Sequence, residues 1–207
     1  MAGLRLVLVR HGQTEANVRK ALDSRPPGPP LTVLGQQQAA DLAADLADAP
    51  VAGVYASTAL RAQQTAEPVA AKHGLIPQVV PGAQEVFVGD LEGSTERADA
   101  EEFFRVFGAW SAGDLAVSMP GGETGVQVAD RFRQVVADIV AQHDQGVAVL
   151  VSHGGIIRLL APLLADNVNP DITKFALLPN TGRVVLDRVD GRDPAWHCVE
   201  WTGQDLG

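Results

Sequence analysis

The segment VAVLVSHGG, residues 147–155, decides the fold that the sequence predicts. It begins with a nearly continuous apolar run rich in β-branched valine, which is typical of a strand buried on both faces of a sheet. Helical patterns flank this strand, at residues 123–143 before it and 156–164 after it. A buried strand between two helices indicates a mostly parallel sheet that helices cover on both sides.

Strands and helices alternate along the rest of the chain as well. The stretch at 86–122 has the weakest pattern, and we expect it to cap the sheet. The sequence therefore predicts an α/β fold, a three-layer α/β/α sandwich with a mostly parallel central sheet and a small cap. We expect residues 1–207 to form a single domain, because a chain of this length can bury one self-sufficient core. The other predicted strands cover residues 4–9, 51–56, 75–80, 183–189 and 196–201, and the other predicted helices cover residues 32–48, 60–72 and 96–110.

Composition and charge narrow the classes of partner. The chain has 207 residues, of which 46% are hydrophobic and 20% are charged, and its formal net charge is −9. A field of that sign disfavours nucleic acid and anionic membranes as partners. Cys198 is the single cysteine, so no intramolecular disulfide can form and a reducing compartment fits best. With no apolar run long enough to span a membrane, we expect a cytoplasmic protein.

Two histidines stand at the ends of predicted strands. His11 follows the first strand, His153 follows the long apolar strand, and a glycine comes directly after each. Ligands in open α/β sheets bind outside the carboxyl ends of the strands, and glycine lets the backbone approach a ligand closely. We therefore expect both histidines at one functional edge. A structural role is the better expectation for the other three histidines, which are His73, His143 and His197.

Two arginines are expected at the same edge. Arg10 ends the first strand, where a buried charge is costly without an anionic partner. Arg61 opens the helix after the strand at 51–56, although a surface position at a helix terminus would also fit it. Guanidinium groups bind phosphate oxygens in a bidentate manner. The helix that begins near Gly154 would add N-terminal amides, which also favour an anion.

Glu85 completes a set suited to phosphoryl transfer. It follows the predicted strand at 75–80 and has apolar neighbours, and an apolar setting favours the protonated form of a carboxyl group. The pattern alone fits an exposed loop glutamate equally well. A neutral imidazole can attack phosphorus, and a protonated carboxyl group can protonate the leaving alkoxide. The set therefore supports a phosphohistidine reaction with no metal and no cofactor. A reading of His11 and His153 as metal ligands is disfavoured, because neither has a second ligand at a suitable spacing.

Several blocks of sequence resemble one known family in the same order. The match begins at Arg10–Thr14 (RHGQT), and Asn17 falls at the family's phosphate-binding asparagine. The blocks resemble those of the histidine phosphatase superfamily, also called phosphoglycerate mutase-like, over nearly the whole chain. Leu91 departs from the tryptophan that many relatives have there. The further blocks are Leu31–Thr32 with Gly35 and Ala39, residues 57–66, Glu85–Gly89 with Glu92–Gly93, residues 121–124, residues 152–155 and residues 180–182.

The resemblance implies roles for the site residues. His11 would be the nucleophile, and Glu85 would be the general acid and then the base that activates water. The resemblance also admits a homodimer, because dimers occur in the family. The groups that bind the phosphoryl moiety would be Arg10, Asn17, Arg61 and His153, to which the helix start adds Gly154.

We expect a phosphomonoester hydrolase that acts on a small phosphorylated metabolite. A cofactor-dependent phosphoglycerate mutase is the first alternative, and a non-enzymatic phosphate-binding module is the second. The cap stretch at 86–122 contains two basic residues, Arg97 and Arg105, with acidic residues between them. We therefore expect no cation at the pocket mouth for a substrate carboxylate. On that ground hydrolysis is preferred to mutase activity, and phosphoglycerate should be a poor substrate.

Overall fold

The computed structural model describes residues 3–169, 178–192 and 195–206. Within these residues the chain forms a mixed α/β structure with a seven-stranded sheet. A single 3-10 turn, Gly89–Leu91, precedes the cap helix. The strands are β1 (Leu4–Arg10), β2 (Val51–Ala56), β3 (Gln78–Val79), β4 (Gly146–Ser152), β5 (Arg183–Arg188), β6 (Trp196–Trp201) and β7 (Gln204–Asp205). The helices are α1 (Glu15–Arg19), α2 (Val33–Asp45), α3 (Leu60–Lys72), α4 (Arg97–Ser111), α5 (Gly125–Val140) and α6 (Gly154–Leu164).

The strand order brings the predicted site residues to one edge. The order is β3-β2-β4-β1-β5-β6-β7, in which β1 to β4 pair in parallel and the last three strands add on antiparallel. In the register, Arg10 of β1 lies opposite Ser152 of β4, and Ala56 of β2 lies opposite Val151. The carboxyl ends of three adjacent strands therefore lie side by side.

Alternation along β1 separates the two faces of the sheet. Leu6 and Leu8 pack into a core cluster that also contains residues of α4, α5 and α6. Val7 and Val9 point to the opposite face, where their cluster contains residues of α2 and α3. Helices thus cover both sides of the sheet, and the predicted three-layer sandwich is confirmed.

The third predicted strand is much shorter than expected. The prediction covered residues 75–80, whereas β3 contains Gln78 and Val79 alone, at the edge of the sheet. Pro77 directly precedes it and has no N–H to donate to the β2 ladder, which confines a strand here to the positions after it. The polypeptide then continues as a loop toward Glu85.

Helix α1 was not predicted because five residues are too few to show a helical period. Its start is nevertheless encoded locally. The Thr14 side chain accepts the N–H of Asn17, and the Asn17 side chain accepts the N–H of Thr14. This reciprocal capping box fixes the chain direction just after the first strand.

The cap is built on α4, in the stretch predicted to cover the sheet. Val106, Phe107 and Trp110 of this helix are buried in the same core as α6. Phe103 and Phe104, one turn earlier, line a cavity at the carboxyl edge of the sheet. None of the described helices is long and apolar enough to cross a membrane.

Candidate active site

A cavity of about 190 Å³ opens at the carboxyl ends of the parallel strands. Six of the seven predicted site residues line it, and the seventh, His153, lies buried next to His11. A larger cavity of about 480 Å³ lies near the amino ends of β1 and β4 and holds none of them. The smaller cavity is therefore the candidate active site. The predicted residues that line it are Arg10, His11, Asn17, Arg61, Glu85 and Gly154.

The contacts of His11 define its tautomer. Its Nδ1 lies 2.7 Å from the carbonyl oxygen of Gly12, and only a protonated Nδ1 can donate to a carbonyl. Its Nε2 accepts the Nε–H of Arg61 at 3.2 Å, so this nitrogen carries the lone pair. Burial lowers the pKa of His11 well below its usual value, and the neighbouring Arg61 lowers it further. The imidazole is therefore neutral near pH 7.

His153 is fully buried against His11. The two ring centroids are 5.1 Å apart, and the Nε2 of His153 lies 2.7 Å from Oγ of Ser57. Its Nδ1 is buried and has no hydrogen-bond partner in the part of the chain that the structure describes. Burial lowers the pKa of His153 well below the usual value, and the charge of Arg61 adds to the effect. Ser57, the first residue of the sequence block at residues 57–66, thus orients this ring.

Arg10 is held at the end of β1 by one backbone contact. Its Nη1 donates to the backbone oxygen of Leu178 at 2.6 Å, whereas its Nε is buried with no hydrogen-bond partner among the described residues. Burial lowers the pKa of Arg10, and the charge of Glu85 partly opposes that effect. A Cβ at Gly154 would stand 3.2 Å from this Nε, so glycine there lets Arg10 reach the cavity.

Arg61 is buried. The sequence was consistent with Arg61 either at the functional edge or on the surface at a helix terminus, and the structure supports the first position. Its side chain is 1% exposed. Besides the bond to His11, its Nη2 donates to the backbone oxygen of Asp23 at 3.0 Å, and its Nη1 lies 2.9 Å from the Asp23 carboxylate. The second contact is an ion pair without the directionality of a hydrogen bond. Burial lowers the pKa of Arg61, and Asp23 and Glu85 oppose that effect.

Glu85 lies at the N-terminus of α6. Its carboxylate oxygens accept the backbone N–H groups of Val86, Gly155 and Ile156, each at 2.9 Å. The sequence had assigned the first amides of this helix to the bound anion, and the structure corrects that expectation for two of them. The anion at this helix terminus is Glu85 itself, which is thereby fixed beside the cavity.

An ion pair outside the cavity holds the loop of Glu85. Arg131 of α5 donates to the backbone oxygens of Gly82, Gln84 and Glu85 at 2.6, 2.7 and 3.0 Å. It also pairs with Glu123 at 2.8 Å, and Glu123 accepts the N–H of Phe87. Sequence reasoning missed Arg131 because nothing in the pattern of a long amphipathic helix marks one arginine as a loop anchor.

Asn17 and Asn180 support the backbone at His11. Asn180 donates from Nδ2 to the backbone oxygen of His11 at 3.0 Å and to Oδ1 of Asn17 at 3.1 Å. The Asn17 oxygen is also used by the N–H of Thr14, so its amide nitrogen is the group that can donate to an anion. Asn17 lies in the cavity wall as expected.

Arg158 is a cavity cation that sequence reasoning missed. It is buried on α6, lines the cavity, and its guanidinium carbon lies 5.0 Å from the ring centroid of Phe107. The expectation of no cation at the mouth was drawn from the cap stretch alone and is wrong. Arg97 and Arg105 do pair with neighbouring glutamates on the surface. The missed cation comes instead from the helix that follows His153.

Among the described residues, no cluster of three or more His, Cys, Asp and Glu side chains has the arrangement of a metal site. The groups that converge here are the cations Arg10, Arg61 and Arg158, two neutral imidazoles and the carboxylates of Asp23 and Glu85. The cations outnumber the carboxylates, and guanidinium groups suit an anionic ligand.

The fold and site define a phosphate-binding α/β protein with a histidine at its centre. Residues 6–202 match the family described as the histidine phosphatase superfamily (branch 1), and the chain belongs to this family.

Comparisons with individual proteins agree with this membership. The chain is 35% identical to the adenosylcobalamin/α-ribazole phosphatase of Escherichia coli, over 76% of this chain and 77% of that protein. It is also 35% identical to PE-PGRS family protein PE_PGRS11 of Mycobacterium tuberculosis, over 96% of this chain but only 36% of that longer protein. A structure of mycobacterial glucosyl-3-phosphoglycerate phosphatase with VO₃ matches with a TM-score of 0.81 and 29% identity, covering 97% of this chain and 99% of that one. The two proteins among these that are described as phosphatases support a phosphoric monoester hydrolase.

Proposed function

We propose that the chain hydrolyses phosphate monoesters through a phosphohistidine at His11, without a metal or another cofactor. The observation that carries the proposal is the state of His11 Nε2. This nitrogen is unprotonated, and it faces Arg61 at 3.2 Å. A neutral nucleophilic nitrogen beside a guanidinium group is arranged to attack an electrophile that carries negative oxygens.

The first step transfers the phosphoryl group to His11. Arg10, Arg61 and Asn17 bind its oxygens, and His153 lies buried next to His11. Positioning of the phosphoryl group and neutralisation of its charge supply most of the catalysis. The Nε–H of Arg61 shifts from Nε2 to a phosphoryl oxygen, and the freed lone pair of Nε2 forms the N–P bond as the bond from phosphorus to the ester oxygen breaks. Glu85 takes up a proton before this step and gives it to the departing oxygen, which leaves as an alcohol.

The second step returns His11 to its resting state. Glu85, now ionised, takes a proton from a water molecule as the water oxygen attacks phosphorus. The N–P bond breaks, its electron pair stays on Nε2, and inorganic phosphate leaves. The backbone amides that hold Glu85 keep the same carboxyl group in place for both steps.

The cavity wall supports a small phosphorylated metabolite as substrate. Leu22, Val88, Phe103 and Phe104 give it apolar surface, whose burial is favourable by about 25 cal/mol per Å². Arg158 adds a cation to the cavity wall. This observation favours the mutase alternative, because a cation could hold the carboxylate of phosphoglycerate. Hydrolysis remains the proposal, and the assay below distinguishes it from mutase activity.

We expect release of inorganic phosphate from p-nitrophenyl phosphate and from at least one phosphorylated metabolite in a panel, at a rate that EDTA does not change. The reason is that every group proposed to bind the phosphoryl moiety belongs to the protein. The same samples, given 3-phosphoglycerate with 2,3-bisphosphoglycerate as primer, would show 2-phosphoglycerate formation if the chain were a mutase. Isomerisation faster than phosphate release from the best ester would overturn the proposal, and loss of activity in EDTA with rescue by a divalent ion would overturn its metal-free chemistry.

Glu85→Gln should slow the hydrolysis of aliphatic esters far more than that of p-nitrophenyl phosphate. An aliphatic alkoxide needs a proton to leave, whereas nitrophenolate does not, and general acid help is typically worth about 10²–10⁴-fold. Steady-state rates on both substrates give the comparison. Glu67→Gln, an exposed change of the same kind on α3, is the matched control. Equal losses on the two esters would remove Glu85 from the role of acid.

A further inference from the structure

Asp23 is a carboxylate in the cavity wall that the proposed mechanism does not use. It lines the cavity together with His11 and Arg61. The guanidinium of Arg61 contacts Asp23 through Nη1 and Nη2 and contacts His11 through Nε. One side chain therefore connects Asp23 to the nucleophile. A phosphoryl group that touches both Arg61 and His11 must come close to the negative charge of Asp23.

The charges around Asp23 come from three parts of the chain. Arg61 of α3 and Arg19 at the end of α1 favour its ionised form, whereas Glu92 and Glu85 in the loop before the cap disfavour it. Burial has the largest effect, and the pKa of Asp23 is raised from its usual value. The Asp23 carboxylate is thus already poorly stabilised before any ligand binds.

Asp23 differs in this respect from the other carboxylate of the cavity. Glu85 accepts three backbone N–H groups, whereas Asp23 has no such amide contact in the described part of the chain. Arg61 is its one ionic partner there. A dianion that binds to Arg61 competes for that partner and adds two negative charges nearby. Protonation of Asp23 removes the resulting repulsion.

We propose that Asp23 takes up a proton from solvent when a dianionic phosphoryl group binds, and that it thereby sets the loss of substrate affinity as the pH rises. The inference rests on the proposed phosphatase function. Affinity is full below the pKa of Asp23 in the free protein and falls as the pH rises through that pKa. For one linked proton the fall is at most about tenfold per pH unit.

Sulfate is a suitable probe because it stays a dianion across the range from about pH 5 to about pH 8. For the wild type, the competitive inhibition constant of sulfate against p-nitrophenyl phosphate should rise by about tenfold or more from the lower to the upper end of this range. For Asp23→Asn the inhibition constant should stay low and change much less with pH. Asp48→Asn, an exposed change at the opposite edge of the sheet, removes the same charge and should behave like the wild type.

Asp23→Ser gives a second neutral side chain in case the amide variant folds poorly. Calorimetry in buffers of different ionisation enthalpy adds a measurement on the unaltered protein, in which sulfate binding near neutral pH should be accompanied by proton uptake. The inference is overturned if there is no uptake, if both variants keep the wild-type pH dependence, or if both bind sulfate more weakly at every pH. If the wild type hydrolyses no ester, the proposed function fails instead, whatever the variants show.

Discussion

Replacing His11 with alanine is expected to reduce phosphate release by about 10⁴-fold or more, because no other group can form the covalent intermediate. The buried Nε2 of His11 carries the lone pair, and Arg61 points at it. Wild-type protein quenched during turnover should hold a phosphoryl group that is stable to alkali and labile to acid. Mass spectrometry of the digested protein should place that group on the peptide that contains His11.

His73→Asn is the control for this result. His73 ends α3, is partly exposed, and contacts the backbone oxygen of Leu46 far from the cavity, so its loss should leave turnover unchanged. His153→Asn separates the two buried imidazoles. It should lower the rate while the phosphoryl label still appears on His11. Turnover by His11→Ala near the wild-type rate would contradict the covalent mechanism.

Arg61→Ala is expected to lower kcat/KM by at least about 100-fold, since positioning and charge neutralisation dominate phosphoryl transfer. Arg61→Lys should recover only a small part of this loss. Lysine keeps the charge but cannot donate to both His11 and the backbone oxygen of Asp23 while it pairs with the Asp23 carboxylate, as the guanidinium does. The measurement is steady-state kinetics, with thermal unfolding to show that each variant is folded.

Arg97→Ala is the control for the loss of an arginine. Its side chain is 92% exposed and pairs with Glu101 on the surface of the cap, so the change should affect neither the rate nor the stability appreciably. An Arg61→Lys variant with full activity would show that charge alone is needed at this position. The orientation argued from the three nitrogen contacts would then be wrong.

Much of the candidate site could be predicted because it follows from strand ends. His11 and His153 come directly after buried apolar strands, and parallel strands in one sheet place their carboxyl ends together. The prediction that Arg61 belongs to the site also needed the resemblance to the family, because an arginine at the start of a helix could equally lie on the surface. Its burial is a property of the packed structure.

The errors arose where contacts join distant segments. Asp23 contacts Arg61, and Arg131 holds the loop of Glu85. Neither residue stands in a sequence motif that would predict its contact. Arg158 was overlooked because the mouth of the cavity was equated with residues 86–122. In the structure Gly154, Gly155 and Arg158 of α6 also line the cavity.

The sequence by itself determined the α/β class, the two faces of the sheet and the edge at which the histidines meet, because hydrophobic periodicity and strand ends are local properties of the chain. Only the tertiary structure decided which nitrogen of His11 carries the lone pair, which anion lies at the N-terminus of α6 and which charges face Arg61. These features depend on hydrogen bonds and ion pairs between segments far apart in sequence, such as the 71 residues that separate Glu85 from Ile156. Burial gives those contacts their strength, since a charge removed from water must find its partners in the folded chain.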